Sequence, residues 1–75
     1  MKELVEYVAR GLVEEPDKVT VTEIDQGNLI IYELEVAPDD MGKIIGRQGR
    51  VINALRSIVK AAAVRRGVRV NVEVV

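Results

Sequence analysis

Apolar side chains recur at helical spacing near the start of the chain. Leu4, Val5, Val8, Ala9 and Leu12 share one face, and Glu3, Glu6 and Arg10 lie on the other. This predicts a helix over residues 2–13. It ends at Glu14-Glu15-Pro16-Asp17, because proline cannot continue a helix and pushes the residue before it out of helical conformation. The period then changes to two. Residues 19–24 are β-branched and alternating, and Gln26-Gly27-Asn28 is a turn signal. Residues 29–36 form a second strand, with Ile30, Tyr32, Leu34 and Val36 on one face and Glu33 and Glu35 turned to the other. The two strands are expected to make an antiparallel hairpin.

Pro38-Asp39-Asp40 opens the next element, with Asp39 or Asp40 suited to cap a short helix that runs to about Ile45. The pattern breaks at Gly46–Gly49, resumes as a longer helix from Arg50 to about Arg66, and stops at Gly67. Val68, Val70, Val72 and Val74 then alternate with Arg69, Asn71 and Glu73, predicting a third, half-buried strand. The order α-β-β-α-α-β describes an α+β fold, residues 1–75 as a single domain. The two-helix crossover is long enough to lay the last strand parallel beside the second. A three-stranded mixed sheet with helices on one face is the simplest assembly.

At about 100° per residue, Arg50, Asn53, Arg56, Ser57 and Lys60 share one arc of the long helix. The apolar residues Val51, Ile52, Ala54, Leu55, Ile58, Val59, Ala61, Ala62 and Ala63 cover more of the circumference than one sheet face requires. The excess suits a groove lining, a contact with another subunit, or deep burial within the domain.

Composition narrows the function. The chain has no Cys and no His, so disulfides, thiolate metal sites and the usual general bases and nucleophiles are missing. These absences, with carboxylates placed on exposed faces, point away from an enzyme, a metal site or a cofactor. Tyr7 and Tyr32 are the only aromatic residues, which excludes nucleic-acid recognition by rows of aromatic stacking platforms. No apolar run approaches a membrane span and the first residues lack the order of a signal peptide, so the expected address is cytoplasmic, without membrane insertion.

Net charge is −1, but the two signs are segregated along the chain. Residues 1–42 carry eleven acidic and three basic side chains, whereas residues 43–75 carry eight basic and one acidic. A basic half that begins at a glycine-rich turn is an electrostatic footprint for phosphate, although a mixed solvated surface gives the same count.

The turn itself is Gly42-Lys43-Ile44-Ile45-Gly46-Arg47-Gln48-Gly49-Arg50-Val51-Ile52. Two glycines three apart let the backbone turn sharply and remove the Cβ atoms that would hold a sugar-phosphate chain away. The amides and dipole of the following helix face the same spot, Arg47, Arg50 and Lys43 add positive charge, and Gln48 adds a neutral donor. The Walker pattern fails because Gly42-Lys43 is followed by Ile44, and Gly42, Gly46 and Gly49 have the wrong spacing for a dinucleotide fingerprint. A purely structural turn between two helices stays open.

Ile44-Ile45-Gly46-Arg47-Gln48-Gly49-Arg50-Val51-Ile52 resembles the I-G-x-x-G signature of KH domains, and the element order matches the bacterial type II topology. The likeness spans Met1 to Val75. With its opening Met1-Lys2-Glu3-Leu4-Val5-Glu6-Tyr7 and the lead-in Ala37-Pro38-Asp39-Asp40-Met41-Gly42-Lys43, the chain is similar to the KhpA family of small bacterial KH proteins. That resemblance implies single-stranded RNA binding, with Gly46, Arg47, Gln48 and Gly49 clamping the backbone of about four nucleotides. It implies a groove for bases between the two helices and an edge strand, with Ile44, Ile45 and Ile52 in its apolar wall. It also implies self-association as a homodimer, pairing with a larger KhpB/Jag-like KH protein, RNA-chaperone or regulatory activity, and a link to cell shape and cell-wall homeostasis. A second reading keeps the KH fold as a protein-interaction adaptor with slight RNA contact, motivated by the broad apolar arc of the long helix and the acidic first half.

Overall fold

The computed structural model describes residues 1–75 in the order expected. Helix α1 spans Lys2–Leu12, strand β1 Thr20–Asp25, strand β2 Ile30–Glu35, helix α2 Met41–Ile45, helix α3 Arg50–Arg66 and strand β3 Val70–Val74. Single 3-10 turns at Pro16–Lys18 and Pro38–Asp40 and a tight glycine turn at Arg47–Gly49 join them. The strands lie in the order β1-β2-β3, with β1 antiparallel and β3 parallel to β2.

Strand periodicity divides the sheet. Val21, Tyr32, Leu34, Val70 and Val72 meet the helices, and Val5 and Ala9 of α1 with Ile52, Leu55, Val59 and Ala63 of α3 close over them. The latter four are a helical stripe at i, i+3, i+7 and i+11, so α3 buries one face and no more. Of its remaining apolar residues, Ala54, Ile58, Ala61 and Val64 are exposed, and Val51 and Ala62 are half-buried. The other face of the sheet is left open and carries Thr20, Thr22, Glu33, Glu35 and Glu73, with Glu33 in register with Glu73. The basic residues of the glycine turn and α3 lie on the helical layer, away from this face.

Two expectations change. Val68 does not belong to β3. Gly67 takes a left-handed conformation, its amide donates to the Val64 carbonyl at 3.2 Å, and the Val68 amide donates to the Ala63 carbonyl at 3.1 Å. This closes α3 with a six-to-one and a five-to-two bond, so the Val68 amide is committed to the helix and the strand begins at Val70. The second change is at the Asp residues, neither of which caps α2 through its side chain. Asp40 is buried, and its carboxylate accepts from the amides of Glu14 at 3.2 Å and Glu15 at 3.1 Å. It therefore ties the chain after α1 to the start of α2. Charge-assisted bonds of this kind are worth about 1.5–3 kcal/mol each, enough to justify burying a carboxylate in so small a domain.

Candidate nucleic-acid interface

The path from α2 to α3 is made by backbone conformations that side chains resist. Gly46 has φ 75° and ψ 174°, and its amide ends α2 by donating to the Gly42 carbonyl at 2.9 Å. A Cβ on Gly46 would overlap Val51 Cγ2 and stand 2.9 Å from the Val51 amide nitrogen. The glycine therefore lets the end of α2 press against the first turn of α3. Gly49, with φ 75° and ψ 16°, is the left-handed residue that starts α3, and around it a Cβ would meet only ordinary contacts of 3.7 Å or more. Gln48 is the one non-glycine residue with positive φ, at 57°. Residues held this way cost of order 1–3 kcal/mol and persist where the surroundings or a function over-determine them.

Arg47 and Gln48 stand at the tip of this turn, both exposed, and neither side chain makes a hydrogen bond or ion pair within the chain. Arg50 is exposed one residue into α3, and no side chain caps that helix. The first-turn amides of α3 and two unpaired guanidinium groups thus border one open surface.

Other residues singled out from the sequence lie elsewhere. Lys43 is turned away from the glycine turn: its Nζ is 2.8 Å from Glu14 and 3.8 Å from Asp40. The hydrogen bond to Glu14 raises the ammonium above its usual range. Ile44 and Ile52 are buried in the core, where they hold α2 and α3 together, and Ile45 is exposed at the end of α2. Among the apolar residues assigned to a groove wall, only Ile45 offers side-chain surface; Ile44 and Ile52 support it from behind.

The edge strand expected to border the groove is β3. The shared arc of α3 faces the free edge of β3, where the Arg56 Nε donates to the Val72 carbonyl at 2.9 Å and Nη1 to the Asn53 side-chain oxygen at 3.2 Å. The Val72 amide donates to the Asn71 side-chain oxygen at 3.0 Å. Farther along, Lys60, Ala63, Val64, Val68, Arg69 and Val70 line an open cavity of about 300 Å³. A strip from the glycine turn to this cavity is therefore bordered by Arg47, Arg50, Arg56, Lys60 and Arg69. The polar arc Arg50, Asn53, Arg56, Ser57 and Lys60 was visible in the sequence; the bond from Arg56 to β3 is supplied by the fold.

A family profile described as "KhpA/KhpB, KH domain" matches residues 2–74. The chain belongs to this KH-domain family. It is 52% identical to a Clostridium acetobutylicum protein over 75 residues, all of both chains, and 53% identical to one from Caldanaerobacter subterraneus subsp. tengcongensis over the same full lengths. A Chlamydia pneumoniae protein is 45% identical over 99% of this chain and 95% of its own. All three are named RNA-binding protein KhpA. Among solved structures, Aquifex aeolicus Era bound to GDP and aluminium fluoride matches with a TM-score of 0.67 and 20% identity over 97% of this chain and 28% of its own. That likeness is one of fold. In this chain the I-G-x-x-G signature is the Ile45–Gly49 turn, and the strip of basic residues lies between α3 and the β3 edge. No helix of the domain is long and apolar enough to cross a membrane.

Proposed function

We propose that this KH domain binds single-stranded RNA, holding the sugar-phosphate backbone at Gly46-Arg47-Gln48-Gly49 and laying bases along α3 toward β3. The observation that carries the reading is the exposed turn. Its two side chains make no bonds within the protein, and its strained backbone brings a cation to the uncapped start of a helix. The 52%-identical relative is named as an RNA-binding protein, which supports the same assignment. Glu33, Glu35 and Glu73 on the open sheet face, with no basic residue among them, disfavour an RNA strand there.

Self-association and pairing with a larger KhpB-type KH protein accompany this reading, as do cytoplasmic RNA regulation and its consequences for cell shape and cell wall. The exposed Ala54, Ile58 and Ala61 stripe on α3 is the surface suited to a second subunit, since it lies apart from the polar arc. Two weak clamps on one strand would multiply through effective concentration.

The test is fluorescence anisotropy of a labelled single-stranded RNA pool titrated with the protein at several salt concentrations. Affinity should fall linearly on logarithmic axes, with a slope of roughly −0.7 per phosphate contacted and therefore about −2 for three contacts. Absence of binding at low salt would shift the weight to an adaptor role.

A further inference from the structure

The guanidinium of Arg56 is immobilised before any ligand arrives. A surface arginine ordinarily samples many rotamers, but here Nε is fixed on the Val72 carbonyl and Nη1 on Asn53. The residue is half-buried, and none of the ion pairs in the domain includes it. Of the five N–H groups a guanidinium carries, two are used in these bonds, leaving three on Nη1 and Nη2 in one plane.

The immediate surroundings supply donors in excess. Val72 turns its peptide group outward on the free edge of β3, yet its carbonyl is taken by Arg56 and its amide by Asn71. The side-chain oxygens of Asn53 and Asn71 are both occupied, so what these amides still present is their NH2 groups. The position is also distinct from the clamp, since Arg56 lies seven residues beyond Gly49, about 10 Å along the helix. The exposed cations nearest the turn, Arg47 and Arg50, suffice for the backbone there.

A fixed planar fork among donors suits a base edge that offers two adjacent acceptors and no donor. Guanine does so on its Hoogsteen edge with O6 and N7, whereas the same edge of adenine includes the N6 amino group, and the open Watson–Crick edge of cytosine sets an N4 donor beside its N3 and O2 acceptors. We propose that Arg56 reads a guanine in the strand held by the glycine turn, with Asn53 and the β3 edge as its orienting partners. This rests on the reading of the turn as an RNA clamp.

The experiment compares a ten-nucleotide oligouridine strand with the same strand carrying one central guanosine, at a single salt concentration. The wild-type domain should prefer the guanosine strand on the order of tenfold, the range expected of a bidentate arginine–guanine contact. Replacing that guanosine by 7-deazaguanosine, which lacks the N7 acceptor, should bring the affinity down to that of oligouridine. Arg56→Lys, which keeps the charge and loses the fork, should likewise equalise the two strands. The proposal is overturned if wild type binds both strands equally, or if the preference survives in the 7-deaza strand or in Arg56→Lys. It is also overturned if Arg56→Lys weakens both strands by the same factor, which would mark Arg56 as a phosphate contact. The 7-deaza arm uses the wild-type protein and does not depend on the variant folding. Indifferent binding removes this inference alone, whereas no binding of either strand removes the clamp reading with it.

Discussion

Changing Arg47 and Gln48 together to Asp will lower affinity for single-stranded RNA on the order of 100-fold at low salt and leave the fold intact. Both side chains are exposed and bonded to nothing in the domain, so their loss removes no internal contact. Position 48 already sits at φ 57°, a conformation that Asp tolerates better than Gln. The effect on RNA is doubled in sign. A cation and a neutral donor facing phosphate become two anions, turning charge-assisted attraction into repulsion. Anisotropy with a labelled strand measures the loss, and an unchanged circular-dichroism melt shows that it is local. Affinity within about threefold of wild type would remove the turn from the interface.

The second large effect is on stability. Gly46→Ala is expected to cost about 3–5 kcal/mol, since it adds strain at φ 75° to overlap with a well-packed neighbour. The overlap cannot be relieved by trimming Val51, because the backbone nitrogen of Val51 is itself 2.9 Å from the added Cβ. A domain of this size has a total stability of roughly 4–11 kcal/mol, so the variant should melt more than about 15 °C below wild type or be largely unfolded. Gly49→Ala, at a site with space around it, should lose only about 1–2 kcal/mol. Thermal melts of the two variants decide the matter, and equal melting points would refute this assignment of roles. A double Gly46→Asp, Gly49→Asp change would not break the clamp while keeping the fold, because any side chain at Gly46 strikes α3. Loss of binding in that variant would not separate a damaged clamp from a damaged domain.

Element order, sheet topology and the glycine turn were legible because each is carried by a local signal. Periods of two and of 3.6 mark the strands and helices, and glycines at 46, 49 and 67 fall where the backbone takes positive φ. What escaped was the use of a group by a distant partner. Asp40 reads as a cap from its place before α2, yet its carboxylate serves the amides of Glu14 and Glu15, twenty-five and more positions away. Lys43 reads as a phosphate ligand one turn before the glycines, but Glu14 draws it to the other side of α2. Val68 continues the alternation of β3, and only the demand of α3 for closed carbonyls withdraws its amide. Ile44 and Ile52 flank the signature and so read as groove wall, although the same positions are what two helices need in order to pack. Arg56 belonged to a visible polar arc, but its anchor is a strand carbonyl that no helical projection contains.

The central claim is that RNA lies on the helical layer, starting at the Gly46–Gly49 turn. It is tested most directly by recording amide ¹⁵N–¹H spectra of the domain while a short single-stranded RNA is added. The account predicts that the largest shifts fall on the amides of residues 46–52, with smaller ones along Asn53, Arg56, Lys60 and Arg69. The amides of Thr20, Thr22, Glu33 and Glu35 should stay in place. Shifts centred on the open sheet face, or a titration that moves Ile58 and Ala61 while residues 46–50 remain still, would contradict it.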